Sequence, residues 1–109
     1  MAYDDALANR IRGILGSRDD VREQKMFGGI AFMVRGHMAC GVIRDDLMIR
    51  IPAGEHEAAL EEPHVRTMDF THRTMPGFLY VGADGIATDA GLGSWVARAV
   101  AYAESRPPK

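Results

Sequence analysis

Four histidines and one cysteine are the side chains of this sequence best suited to metal ligation or nucleophilic chemistry. A zinc site needs three or four ligands within about 2.0–2.3 Å of the ion. His37, His56, His64 and His72 fall on different predicted elements, and the chain has neither an HExxH motif nor a second cysteine. We therefore expect solvated histidines and no metal site. Cys40 lies in the middle of a predicted apolar strand, which favours an inert core thiol over a nucleophile.

Two glycine-containing segments have some features of phosphate-binding loops. Gly28-Gly29 runs into a predicted strand, whereas phosphate loops run from a strand into the N-terminus of a helix. Gly91-Leu92-Gly93 lies near a predicted helix start but lacks a third glycine and a preceding strand crossover. We expect no nucleotide site, and we assign Gly28-Gly29 to a bulge or bend where the chain enters the sheet.

Charge gives little support to nucleic-acid binding or to carboxylate catalysis. Thirteen basic and fifteen acidic residues give a net charge of −2, whereas nucleic-acid-binding domains usually carry a basic excess. The basic residues between Arg10 and Lys25 are interleaved with acidic ones. The pairs Asp45-Asp46 and Glu61-Glu62 fall in predicted turns, where we expect them to be solvated rather than to form a catalytic pair.

The bulk composition is typical of one globular domain. A chain of 109 residues with 47% hydrophobic residues can bury a single core without disulfide or metal staples. No segment approaches the ~20 apolar residues of a membrane span. The acidic N-terminus lacks the apolar region of a secretory signal, and one cysteine makes no internal disulfide. These features predict a cytoplasmic protein without a membrane partner.

The elements that must position the candidate side chains centre on residues 25–51. Three runs rich in β-formers, broken by Arg35-Gly36 and by residues 44–46, predict a three-stranded antiparallel meander. Alternation places one set of residues on a core face: Ile30, Phe32, Val34, Met38, Cys40, Val42, Leu47, Ile49 and Ile51. The opposite face carries smaller or longer, flexible side chains: Ala31, Met33, Ala39, Gly41, Met48 and Arg50. We expect a helix or a second subunit to cover this face in part.

The remaining elements complete an α+β domain with helices packed on an antiparallel sheet. Apolar spacing predicts a first helix, and the segment SRDDVREQ between it and the meander is a predicted polar connector. The predicted order is α-β-β-β-α-β-β-α. Outside the meander it comprises a helix at 4–16, a short helix at 55–60, a hairpin at 65–72 and 77–82 with its turn at 74–77, and a last helix capped by Asp89 that ends before Pro107.

The segment KMFGGIAFMVRGHMACGVIRDDLMIRI at residues 25–51 resembles the TfoX/Sxy N-terminal domain family. The later stretch MDFTHRTMPGFLYV, the Gly85 turn and the helix around Trp95 extend the resemblance to about residues 5–105. The resemblance implies the same α+β order and supplies no catalytic residues. Longer relatives add a C-terminal helical domain and regulate natural competence gene expression. We expect residues 1–109 to form a single N-terminal-type domain with no C-terminal helical domain.

Two functional hypotheses follow. The first is a non-enzymatic, cytoplasmic regulatory module that binds a protein partner or a second copy of itself as a homodimer. The second is a site for an anionic small molecule, or an enzyme, between the sheet and the helices that holds an anion with Arg50, Arg66, Arg73 or Tyr80, because arginine suits carboxylate and phosphate capture. An auxiliary nucleic-acid binder is the least favoured hypothesis, and we expect no cofactor. The candidate contacts are Arg50, Arg66, Arg73, Tyr80, Met33 and Met48.

Overall fold

In the part of the chain that the computed structural model describes, six antiparallel strands form one sheet and three helices accompany it. The structure describes residues 3–16, 18–26, 28–69 and 74–107. The strand order across the sheet is β1-β2-β3-β4-β6-β5. The elements are α1 (Asp5–Leu15), β1 (Val21–Met26), β2 (Gly29–Val34), β3 (His37–Ile43), β4 (Asp46–Arg50), α2 (His56–Leu60), β5 (Val65–Asp69), β6 (Thr74–Val81) and α3 (Asp89–Ser105). Short 3₁₀ turns at Ala53–Glu55 and Ala83–Ile86 precede α2 and α3.

This architecture confirms the predicted α+β class and adds one strand to the predicted order. β1 occupies the second half of the predicted polar connector, residues 21–24, and continues to Met26. It pairs antiparallel with β2 from Val21 opposite Val34 to Met26 opposite Gly29. β1 lies at the edge of the sheet, and Arg22, Glu23 and several of its other side chains are exposed. The strand is therefore held by backbone pairing with β2 more than by burial.

The long helices follow their predicted positions closely. Asp4 caps α1, since its carboxylate accepts hydrogen bonds from the backbone N–H groups of Ala6 and Leu7 at 2.9 and 3.2 Å. Gly16 ends that helix with a φ of 65°. In α3 the capping residue is Thr88, whose hydroxyl accepts a hydrogen bond from the N–H of Gly91. Asp89, the predicted cap, is instead the first helical residue and sits where its charge favours the helix dipole.

The main core lies between the helices and one face of the sheet, and it confirms most of the predicted core face. Met38 is the exception. The pairing of β2 with β3 shifts between Phe32 and Met33, so that Phe32 faces Cys40 while Met33 faces Met38. This bulge turns Met38 to the opposite face and places Ala39 in the main core. The predicted alternation in β3 is therefore correct for Cys40 and Val42, and it is wrong for Met38 and Ala39.

The turns around β2 use left-handed backbone. Arg35 and Gly36 have φ values of 55° and 87°, which makes the connection to β3 a two-residue turn of the primed type, as predicted. Gly28 has a φ of 77°, and a Cβ at Gly29 would collide with the Val42 carbonyl oxygen. Gly28-Gly29 therefore shapes the connection from β1 to β2, whereas the sequence predicts that the chain enters the sheet at this point.

The second hairpin differs from its prediction. The segment predicted as its turn, residues 74–77, lies inside β6 (Thr74–Val81), and Asp69 pairs with Thr74. The connection therefore spans residues 70–73, which lie outside the described residues. Gly77 remains special within the strand, because its φ is 90° and a Cβ there would strike the Ile51 carbonyl oxygen.

Candidate functional site on the second face of the sheet

A second, smaller apolar cluster lies on the face of the sheet opposite the main core. Its buried members are Ala31, Met38, Ile43 and Met48, with Met33, Phe78 and Tyr80 half-buried against it. We call this surface the second face. Every described helical residue that belongs to an apolar cluster belongs to the main core. Strands alone therefore build the second face within the described part of the chain.

The pairing of the strands gathers most of the candidate contacts on this face. Arg50 stands opposite Phe78, and Tyr80 stands opposite both Met48 and Arg66. Directly opposed residues share one side of a sheet. Met33, Met48, Arg50, Arg66 and Tyr80 thus lie on the same face, as their alternation indicates. The sixth candidate, Arg73, lies outside the described residues.

Arg50 is stacked between two aromatic rings. Its guanidinium carbon lies 5.2 Å from the centroid of Phe78 and 5.7 Å from that of Tyr102. Distances below about 6 Å from a ring centroid are typical of cation–π contacts. Tyr102 belongs to α3, so this contact links the end of the second face to the last helix. A stacked guanidinium keeps its N–H edge available for a planar acceptor.

Arg66 is already neutralised by a carboxylate. Its guanidinium lies 5.3 Å from the Tyr80 ring and forms an ion pair of 2.6 Å with Asp46. Asp46, predicted to be a solvated turn acid, is therefore an engaged residue of β4, while Asp45 is exposed. Burial raises the pKa of the Tyr80 hydroxyl, and the Asp46 charge adds to that rise. Tyr80 consequently keeps its proton at neutral pH.

The second face is locally basic although the chain is acidic overall. Arg22 stands opposite Met33 at one side of the face, and Arg50 and Arg66 lie at the other. Asp46, opposite Ile43, contributes one negative charge. Among the described residues of this face, guanidinium groups outnumber the Asp46 carboxylate, in contrast with the net charge of −2 of the whole chain.

Two histidines are buried rather than solvated, contrary to expectation. His37 and His56 are 4% and 5% exposed. The Nε2–H of His37 donates to the Pro107 carbonyl at 2.6 Å, while the Gly77 N–H donates to Nδ1 of His56 at 2.9 Å. Each imidazole therefore ties distant backbone segments together. His64 is exposed as predicted, and His72 lies outside the described residues.

The other candidate reactive side chains among the described residues show no sign of activation. Cys40 is fully buried, which confirms its predicted place, and burial raises the pKa of its thiol to about 12. Within the described residues, no group of three or more histidine, cysteine, aspartate and glutamate side chains could hold a metal ion. Of the acid pair at residues 61 and 62, Glu62 accepts a hydrogen bond from Arg98 and Glu61 is exposed. No helix among the described residues is long and apolar enough to cross a membrane.

Two surface clefts accompany the sheet. The first, of about 370 Å³, lies between α1 and the β1–β2 pair, and the charges of Arg12 and Arg18 in its wall are already paired with carboxylates. The second, of about 330 Å³, lies between α3 and the end of β4, and Tyr102 and Arg98 contribute to its wall. Tyr102 thus lines this second cleft and also contacts Arg50.

Tyr102 and Arg106 join the candidate site without being predicted. Arg106 caps the C-terminal end of α3, donates to the Tyr102 hydroxyl at 2.9 Å and lies 5.7 Å from the Tyr102 ring centroid. The sequence shows only that these residues are four apart on a helix, where neighbours on one surface are expected. The approach of Tyr102 to Arg50 is a tertiary contact, which strand alternation does not report.

The TfoX N-terminal domain family matches residues 13–103, which include most of the chain and all of β1 to β6. No match was found among the curated proteins or among the solved structures.

Proposed function

We propose that this chain, which belongs to the TfoX N-terminal domain family, is a non-catalytic regulatory module that binds another protein through the second face of its sheet. The observation that carries the proposal is the apolar cluster built by strands alone, with the half-buried Met33, Phe78 and Tyr80 around it. Half-buried apolar side chains over a buried apolar centre, with charged side chains around them, resemble protein-binding sites. Methionine and aromatic side chains are common in adaptable binding surfaces.

The charge of the second face favours an acidic partner over a second copy of the chain. Among the described residues of the face, Arg22, Arg50 and Arg66 surround the apolar centre and Asp46 stands against them. Two such faces packed on each other would bring like charges together, which costs free energy and selects against that pairing. An acidic segment with apolar residues would complement both the rim and the centre. We therefore propose a heterologous partner, with self-association as the competing outcome.

The unreactive or already engaged state of the candidate catalytic side chains supports binding rather than catalysis. The Cys40 thiol is buried and keeps its proton, and Nδ1 of His56 is engaged by a backbone N–H. The Arg66 charge, one of those considered for an anionic substrate, is satisfied by Asp46. A free, buried thiol also suits a reducing compartment, and we place the module in the cytoplasm on that basis.

The test compares two surface charges introduced on opposite sides of the protein. Met33→Glu adds a carboxylate to the second face, whereas Ile14→Glu adds one to the helical side, where Ile14 is 44% exposed. Tagged wild-type and variant proteins are used to isolate partners from the source cells, after circular dichroism has verified equal folding. We expect one acidic partner to be retained by the wild type and by Ile14→Glu and to be lost by Met33→Glu.

The same variants distinguish self-association. Light scattering of the wild type at increasing concentration should give a constant monomer mass. A dimer that disappears in Met33→Glu would assign the second face to self-association and overturn the heterologous proposal. Equal retention of the partner by both variants would show that the second face is not the binding site.

A further inference from the structure

We infer that Arg50 and Arg106 form an oxyanion-binding pair around Tyr102, and that this pair holds a carboxylate side chain of the acidic partner segment. The inference rests on the proposed function, because Arg50 lies on the second face. It adds the position of the partner's charge, at the end of the sheet where β4, β6 and α3 meet.

The first argument is a contrast among the arginines. Five of them lie within 4 Å of a carboxylate: Arg10, Arg12, Arg18, Arg66 and Arg98. Arg50 and Arg106 are half-buried and make no such ion pair with any described residue. Arginine is rarely removed from water without a partner, because a partly desolvated charge is costly unless it is compensated. An external anion would supply that compensation.

The second argument is geometric. Both guanidinium carbons lie 5.7 Å from the centroid of the Tyr102 ring. Phe78 also stacks on Arg50, and the Tyr102 hydroxyl accepts a hydrogen bond from Arg106. The rings restrict the orientation of both planar groups while leaving N–H donors at their edges. Planar, oriented guanidinium groups suit the two oxygens of a carboxylate.

The third argument is an unsatisfied donor. Nε of Arg106 is buried and has no hydrogen-bond partner in the described structure. A buried donor without an acceptor costs roughly 1–3 kcal/mol, so such groups usually mark a missing partner. The helix dipole explains why a positive charge is favourable at Arg106, because this residue lies at the C-terminal end of α3. That explanation does not apply to Arg50, which lies on a strand.

The adjacent cleft gives the partner segment a path. Tyr102 lies in the wall of the cleft of about 330 Å³, beside Ile51 and Pro52 at the end of β4. An extended segment crossing the second face would reach Arg50 at the sheet end and continue over Tyr102 into this cleft. A carboxylate at the crossing point would lie beside the Tyr102 ring, which both guanidinium groups contact.

The experiment uses the isolated full chain, so it succeeds or fails independently of partner isolation. The Nε–H signals of uniformly ¹⁵N-labelled protein are followed by NMR during titration with capped tetraglutamate, with capped tetraglutamine and inorganic phosphate as separate probes at constant ionic strength. We expect saturable shifts of the Arg50 and Arg106 signals with tetraglutamate and none with tetraglutamine. We expect phosphate to bind more weakly.

Conservative variants separate hydrogen-bonding geometry from charge. Arg50→Lys and Arg106→Lys keep the positive charge but lose the planar fork, and each should weaken tetraglutamate binding about tenfold. Arg12→Lys, on α1 at the helical side of the protein, should change it by less than about twofold. Equal weakening of tetraglutamate binding by all three variants, or the absence of saturable NMR shifts, would contradict the proposed Arg50–Arg106 pair. Tighter binding of phosphate than of tetraglutamate would overturn its assignment to a protein carboxylate.

Discussion

The backbone N–H of Gly77 in β6 donates a hydrogen bond of 2.9 Å to Nδ1 of the buried His56 in α2. Gly77 in turn accepts a hydrogen bond from the Ile51 N–H through its carbonyl, at 2.8 Å. The imidazole thus joins the short helix to the segment where β4 ends and β6 passes. α2 has only five residues, which is too short for a helix to be stable by itself. Its position depends on such tertiary contacts.

Replacing this acceptor should destabilise the fold. His56→Phe retains a ring but leaves the Gly77 N–H buried without a partner, so we expect the free energy of unfolding to fall by about 1–3 kcal/mol. His56→Asn, which offers a side-chain oxygen near the same place, should lose less. Urea unfolding measures both, and amide exchange at Gly77 should accelerate in His56→Phe. The exposed neighbour Glu57→Gln is the control, expected within about 0.5 kcal/mol of wild type. An unchanged His56→Phe variant would contradict this role.

Two glycines of α3 should respond oppositely to alanine. A Cβ at Gly93 would meet nothing within 4 Å, whereas one at Gly91 would lie 2.9 Å from the Gly85 carbonyl oxygen. Gly93→Ala should therefore raise the free energy of unfolding by about 0.5–1 kcal/mol through helix propensity. Gly91→Ala should gain nothing or lose stability, because backbone must move to admit the methyl group. Thermal and urea unfolding of the pair check the prediction, and equal stabilisation by both would contradict the close approach at Gly91.

The strand pattern of the meander illustrates how much of the fold the sequence determines. β2, β3 and β4 alternate apolar residues clearly, so their faces can be assigned from a period of two. β1 has no such pattern, because Arg22, Glu23 and Lys25 occur on both of its faces and are exposed. An edge strand is specified by backbone pairing with its neighbour, and charged side chains protect its free edge. Residue types alone do not report that pairing.

The candidate site likewise contains some contacts that the sequence predicts and others that it does not. Met33, Met48 and Arg50 share a face by alternation, so their proximity is predictable. Met38 joins them only because of the bulge beside it, which depends on the register between two strands. Tyr102 and Arg106 arrive from α3, more than fifty residues after Arg50 in the sequence. Long-range packing of this kind leaves no local signal in a single sequence.

The pair of Arg12 and Glu23 should anchor the unpredicted strand to α1. Nε and one terminal nitrogen of Arg12 donate to the two Glu23 oxygens at 2.8 and 2.7 Å. This hydrogen bonding lowers the pKa of Glu23, so its stabilising contribution is present at neutral pH and is lost as the pH falls through that lowered pKa. Both side chains are more than one-third exposed, so we expect Glu23→Gln to cost less than about 1 kcal/mol.

Comparison of the two proteins across pH tests this pair. Urea unfolding of wild type and Glu23→Gln should differ at pH 7 and converge in acid, once Glu23 is protonated. Asp45→Asn removes an exposed carboxylate from the β3–β4 turn and serves as the control with no expected convergence. A difference between wild type and Glu23→Gln that persisted at low pH would point to packing rather than to the ion pair.

Cys40 should make the fold sensitive to alkaline pH. Burial raises the pKa of its thiol from 9.0 to about 12, because the thiolate cannot be solvated in the core. A group whose pKa is raised by folding stabilises the protein below its unfolded pKa and loses that contribution as the pH rises toward the folded value. Between these two values the unfolded state releases the proton while the folded state keeps it. The expected slope approaches a loss of about 1.4 kcal/mol of unfolding free energy per pH unit.

The Cys40→Ala variant isolates this effect. Tyrosine and lysine residues also titrate above pH 9, but they do so in both proteins, so only the difference between wild type and Cys40→Ala reports the thiol. Alanine leaves a small cavity that lowers stability at every pH, and that offset should shrink as the pH rises from 8 to 10.5. Iodoacetamide should label the native thiol only as fast as the protein opens. Rapid labelling of the folded protein at pH 7, or a constant offset across this pH range, would show that Cys40 is accessible to solvent and would remove the main support for its inert role.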